Sequence, residues 1–157
     1  GYGELLQGFG VGAVLPLVGY ALQAGSLDGA PYYALIPTVL LGIMGNILTS
    51  LPDEPADFRS GKRSYPVRVG ADRARLHAVL LLAVASVGSI VVLKGFSAAW
   101  IGGVMIVPAG ALIFNLMTYE DADIYRDQRA CMRFVTVGAI GANALLLGWT
   151  LALALGG

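Results

Sequence analysis

Charge is scarce in this chain and sums to nothing. Only 13% of its 157 residues are Asp, Glu, Lys or Arg, ten acids stand against ten bases, and the net charge at pH 7 is zero. Without a basic surplus there is no electrostatic footprint for nucleic acid, whose binding rests on neutralising phosphates. So few charged side chains, confined to a few loops, also cannot coat a water-soluble domain of this size. Cysteine is limited to Cys131, which excludes an internal disulfide and reads as structural. Histidine is limited to His77, near the start of the third apolar run, where a solvated or helix-packed side chain is the expectation. The first apolar run lacks a basic leader and a small-residue cleavage site, so it does not read as a cleavable signal peptide.

What the chain has in abundance is apolar length. Hydrophobic residues make up 57% of it and the mean hydropathy is +0.74, values outside the range of soluble globular domains. Five runs approach the roughly 20 residues that cross a bilayer's hydrocarbon core. They lie at about Leu5 to Gln23, Tyr32 to Thr49, Leu76 to Leu93, Ser97 to Met117 and Phe134 to Leu155. Continuous apolar character favours helices over a transmembrane barrel, whose strands alternate and are shorter. The predicted fold is all-α: an integral membrane helical bundle of five spans, forming one transmembrane domain over 1–157. Pro16, Pro37 and Pro108 fall inside three spans and predict kinks, with neighbouring helices satisfying the freed backbone groups. The Gly8 to Gly12 GxxxG spacing could bring helices close, but among 22 glycines chance spacing explains it equally well.

The basic residues are distributed unevenly. Arg59, Lys62, Arg63, Arg68, Arg73 and Arg75 follow the second span, Arg126, Arg129 and Arg133 follow the fourth, and only Lys94 lies on the other side. The positive-inside rule makes the nine-residue face cytoplasmic. The expected location is the plasma membrane, with the amino terminus inside and the carboxyl terminus outside.

The strongest local signal is the cytoplasmic motif loop at 50–75, and within it Asp53 to Gly70, DEPADFRSGKRSYPVRVG. Asp53 and Asp57, four apart, would share one helical face about 6 Å apart and converge on a hard cation. Magnesium suits them, because it is held by few carboxylates together with substrate phosphates and water. Pro52 and Pro55 exclude a helix running unbroken from the second span and predict a short one capped by Ser50 or Asp53. Glu54 would point away or serve as an auxiliary ligand. Lys62, Arg63 and Arg68 follow close behind, basic side chains of the kind that pair with a phosphorylated, membrane-borne substrate. A solvated surface loop is the bland alternative, yet such a loop needs no glycine set between acids and bases. A second DxxxD, Asp123 and Asp127 in YEDADIYRDQR, alternates with Arg126 and Arg129, and local ion pairing explains it, although it could border the same cavity.

Among the residues inside spans, Asn115 and Asn143 predict interhelical hydrogen bonds. Tyr20, Tyr32, Tyr33, Trp100 and Trp149 suit an interfacial belt. Phe9, Phe114 and Phe134 could line a tunnel or face lipid.

Asp53, Asp57, Gly61, Lys62, Arg63, Val67, Arg68 and Gly70 together match DxxxDxxxGKR followed by VRxG, and in this the chain resembles the UbiA family of intramembrane prenyltransferases. The opening GYGELLQGFGVG resembles the GELxxxxxFGP segment of the menaquinone-type (1,4-dihydroxy-2-naphthoate polyprenyltransferase-like) branch, with Gly10 to Gly12 and Ala13 in place of Gly-Pro. Asn46, seven residues before Asp53, resembles the asparagine that often precedes the motif. The resemblance implies a nine-helix enzyme with two aspartate motifs, of which this chain carries the second. Its five spans would be the last five helices, and the chain the carboxyl-terminal half of a longer protein that is inactive alone. It further implies Mg2+, with Asp53 and Asp57 as catalytic metal ligands. Asn46, Lys62, Arg63 and Arg68 would hold a prenyl diphosphate, and an aromatic quinone precursor would accept the prenyl group. A non-enzymatic transporter or structural helical bundle is the alternative from another class.

Overall fold

The computed structural model describes residues 2–155. It is helical throughout, with no strand among the described residues. Helices α1 (Gly3–Phe9) and α2 (Leu15–Ala24) form one span joined by a π-helical segment, Gly10–Val14. A 3-10 turn, Tyr32–Ala34, leads into α3 (Leu35–Ser50). Two short helices follow, α4 (Glu54–Ser60) and α5 (Tyr65–Val69). Three long ones complete the chain: α6 (Ala71–Val92), α7 (Ala98–Met117) and α8 (Gln128–Leu155). Five helical segments are therefore long and apolar enough to span a membrane. They match the five expected runs, except that α6 and α8 start several residues earlier, drawing Arg75 and Cys131 into helices.

The core lies where α3, α6, α7 and α8 meet, with Met44, Leu48, Leu82, Phe134 and Leu145 fully enclosed. α1 is held to α3 by backbone proximity. A methyl group on Gly8 would lie 2.5 Å from the backbone of Ile43, and one on Gly42 would lie 2.5 Å from the Gly8 carbonyl oxygen. At Gly12 it would run into the backbone of Thr38 and Val39. The Gly8 to Gly12 spacing is therefore a contact face, matched by Gly42 on the partner helix.

The π segment has a sequence cause. Pro16 has no N–H to give the carbonyl four residues earlier, that of Gly12. Thr38 on α3 donates its hydroxyl to that oxygen at 2.6 Å, so a neighbouring helix satisfies the freed group. Pro37 sits in the first turn of α3, where proline is tolerated, and Pro108 lies buried inside α7.

Other expectations fare differently. Trp149 is buried rather than part of an interfacial belt. Asn143 donates to Ala139 O of its own helix at 2.8 Å. The buried Asn115 has an amide oxygen with no hydrogen-bond partner among the described residues. Neither asparagine thus makes the expected interhelical bond; for Asn143 the carbonyl four positions back on its own helix takes the amide instead.

The two polar loops meet at one end of the bundle. Arg75, buried in α6, donates to Ala122 O at 2.8 Å, while the Tyr119 hydroxyl donates to Asp72 O at 2.6 Å. Nine of the ten basic residues therefore belong to the end that carries the motif loop, and Lys94 follows α6 at the other end.

Candidate functional site

The motif loop is built by local chain chemistry. α3 ends at Ser50, and Pro55 falls in the first turn of α4, where its missing N–H costs nothing. Asp53 occupies the N-cap position, and its carbonyl accepts the amides of Ala56 and Asp57 at 3.0 and 2.8 Å. Its carboxylate makes no cap bond and stays exposed. At the other end Gly61 takes φ +76°, with Gly61 N–H donating to Phe58 O and Lys62 N–H to Asp57 O at 2.9 Å. This is a Schellman-type stop, for which glycine is the residue without a Cβ penalty. The glycine between the acids and the bases thus turns the chain back and returns Lys62 to Asp57.

Asp57 is buried and Lys62 is its partner. The Lys62 ammonium lies 3.1 Å from Oδ1 and 3.0 Å from Oδ2. The Ser64 hydroxyl beside it and this ammonium together hold the Asp57 carboxyl below the usual carboxylate range, against the opposing effect of burial. Asp57 in turn raises the Lys62 pKa. Only one of the two Asp57 oxygens meets strict hydrogen-bond geometry, so Oδ2 is a buried acceptor held by charge alone.

A polar cavity of about 500 Å³ opens beside the loop. Asn46 and Thr49 on α3, Asp53, the Lys62 to Ser64 stretch, and Glu4 and Gln7 from α1 line it. The structure therefore brings together Asn46, Asp53, Lys62 and Arg63. Asp57 does not line this cavity; it stands behind Lys62. Arg68 lies elsewhere, with its guanidinium 4.6 Å from the centroid of the Tyr2 ring, beside a small cavity with Leu5, Tyr65 and Val69.

Asn46 and Thr49 also line a second cavity of about 480 Å³, bounded by Val11 and Gly12, α3, and Val135, Ala139, Ala142 and Leu146 of α8. Its walls are mainly apolar. Phe9, Phe114 and Phe134 do not line it.

Glu54 points away from the polar cavity. It is buried with Oε2 unpartnered, and its carboxylate beside the Tyr125 hydroxyl raises that phenol's pKa. The 119–127 segment thus rests against α4. Asp123 accepts from Tyr125 N–H at 2.9 Å and faces Arg126 at 3.7 Å, and Asp127 accepts from Arg129 N–H at 2.8 Å. Both acids of the second DxxxD are engaged locally, as expected.

No group of three or more His, Cys, Asp or Glu residues placed to hold a metal exists among the described residues. Asp53 and Asp57 supply oxygen donors alone, Asp53 open to the cavity and Asp57 paired through both oxygens with the Lys62 ammonium. That set fits magnesium, which takes one or two carboxylates and completes its shell with phosphate and water, and it fits neither zinc nor a soft metal.

Two contributors escaped the sequence reading. Glu4 accepts the Tyr65 amide at 2.7 Å, and the Tyr65 hydroxyl meets His77 Nδ1 at 2.8 Å. Both contacts span loop-length or longer separations that no local pattern encodes.

The membrane helical bundle thus places a cavity lined by two acids and two bases next to an apolar groove. The family model of the UbiA prenyltransferase family matches residues 3–137, and the chain belongs to that family. No curated protein and no solved structure matches it.

Proposed function

We propose that this chain forms the second-motif part of an enzyme that moves a prenyl group from a prenyl diphosphate to an aromatic quinone precursor within the plasma membrane, with Mg2+ as cofactor. The observation that carries this is the junction at Asn46 and Thr49, where the cavity holding Asp53, Lys62 and Arg63 meets the apolar groove. Head and tail of a prenyl diphosphate require such neighbours.

In this reading Asp53 would hold the cation together with Asp57, which would exchange its Lys62 partner for it, and the cation would neutralise diphosphate charge. Arg63 pairs with phosphate oxygens as a planar fork and Lys62 as a point charge. The allylic carbon–oxygen bond breaks with its electron pair leaving on the diphosphate. A ring carbon of the acceptor then supplies the pair for the new carbon–carbon bond and loses its proton. Val135, Ala142 and Leu146 exclude water from the allylic cation. Arg68, over the Tyr2 ring, steadies the loop or joins the substrate after a local rearrangement. The five spans stand for the last five helices of the nine-helix arrangement, residues 1–157 form one transmembrane domain, and the motif loop faces the cytoplasm. The menaquinone-type branch is the preferred one, on the strength of the GELLQGF opening that delivers Glu4 and Gln7 to the cavity.

The test is reconstitution of the intact protein in liposomes with a radiolabelled prenyl diphosphate and a panel of aromatic acceptors. Transfer that needs added Mg2+ and stops with chelator supports the reading. Absence of transfer to every acceptor, with labelled diphosphate unbound, sinks it.

A further inference from the structure

Glu4 performs a task that α5 cannot perform for itself. Ser64 stands at the N-cap of α5 with an extended backbone, φ −64° and ψ 164°, but its hydroxyl makes no cap bond and lies instead beside Asp57. The first amide of the helix, Tyr65 N–H, would be an orphan donor in a partly buried place. It is taken at 2.7 Å by Oε1 of Glu4, 61 residues earlier in sequence and on a different helix. Glu4 also lines the polar cavity, facing the same space as Lys62 and Arg63, and its charge adds to the field that raises the Lys62 pKa.

We propose that Glu4 is a positioning residue: a cap supplied by α1 that fixes the Lys62 to Tyr65 stretch of the motif loop at the wall of the cavity. Two anchors act on that stretch. Gly61 and Asp57 hold its beginning, and Glu4 holds its end. Without the second, the end of the stretch is held only through the Tyr65 hydroxyl on His77 and the packing of α5, and the backbone beside Arg63 and Ser64 loses its nearest anchor. Substrate binding suffers before any bond-breaking step does, because the basic side chains must be gathered at the expense of binding energy. The kinetic consequence rests on the prenyltransferase reading, whereas the capping role does not.

The experiment compares Glu4→Ala and Glu4→Gln in the intact protein reconstituted in liposomes, by amide hydrogen exchange and by steady-state transfer. Glu4→Ala should speed exchange in peptides covering 61–69 while leaving those of α6 and α8 unchanged. It should also raise KM for the prenyl diphosphate about fivefold, the scale of a lost cap, with kcat within twofold. Glu4→Gln keeps an acceptor oxygen and should restore both. Unchanged exchange in Glu4→Ala overturns the cap. Faster exchange with unchanged KM, or Glu4→Gln as impaired as Glu4→Ala, overturns the positioning role. If the unaltered protein transfers no prenyl group, the functional reading fails and the exchange comparison still decides the cap.

Discussion

Lys62 sits across both carboxylate oxygens of Asp57, at 3.1 and 3.0 Å. The lysine side chain is 65% exposed and the acid 10%, so the two partners differ in what their loss would leave behind. Asp57→Asn leaves an ammonium in water, whereas Lys62→Met leaves a carboxylate walled in without its counter-charge. Thermal unfolding in detergent should therefore rank Lys62→Met as the less stable variant. Transfer of a labelled prenyl chain should be abolished in Asp57→Asn while expression stays normal. Unchanged transfer would remove Asp57 from the site.

Gly61 at φ +76° makes the return of Lys62 possible. Alanine there has open space around it but must adopt the left-handed conformation. Gly61→Ala should cost about 1 kcal/mol, read as a lower melting temperature. It should also weaken prenyl diphosphate binding, since the basic stretch is displaced. Gly103→Ala, in an open position on α7, should be neutral or slightly stabilising.

Where the π-helical segment packs on α3, Gly12→Ala would force backbones apart and should cost about 1–3 kcal/mol. Differential scanning of the purified protein distinguishes it from Gly103→Ala.

Tyr119 links the second polar loop to α6 through Asp72 O. Burial raises its pKa above 10.0, opposed by Arg75 and aided by Asp72. A folded-state pKa above the unfolded value gives stability that is fully present below the unfolded pKa and is lost as pH rises through the raised one. Alkaline titration should loosen the 119–127 segment above pH 10.0, followed by hydrogen exchange. Tyr119→Phe should be looser already at neutral pH and lose this alkaline step.

Ala139 is on the groove wall. Ala139→Phe should fill the space and shift use toward shorter prenyl diphosphates, measured as the ratio of kcat/KM values for a short and a long donor. An unchanged ratio would place the hydrocarbon body elsewhere.

The spans were legible in the sequence because apolar length is a local property, and the motif helix because prolines and glycine punctuate it. Asp53, Lys62 and Arg63 could be placed near one another from spacing, and Asn46 from the resemblance. Arg75 could not be told from its solvated neighbours: only the fold buries it against Ala122 O. Trp149 looked interfacial by its nearness to a predicted span end, whereas α8 turns it into the core. The Glu4 cap and the Thr38 bond to Gly12 join helices far apart in sequence, and their partners are backbone atoms that every residue carries. No residue pattern advertises which backbone donor or acceptor a distant side chain will meet.

The glycine seam has a mechanical result. Gly8 lies one helical turn from Glu4 on the same side of α1, and neither Gly8 nor Gly42 tolerates an added carbon. The seam acts as a ruler that sets the height of Glu4 above the headgroup end of the bundle. A swelling of this contact would travel along α1 as a rigid shift and emerge one turn away at the cavity, so a carbon added to an uncharged glycine would displace the carboxylate that caps α5.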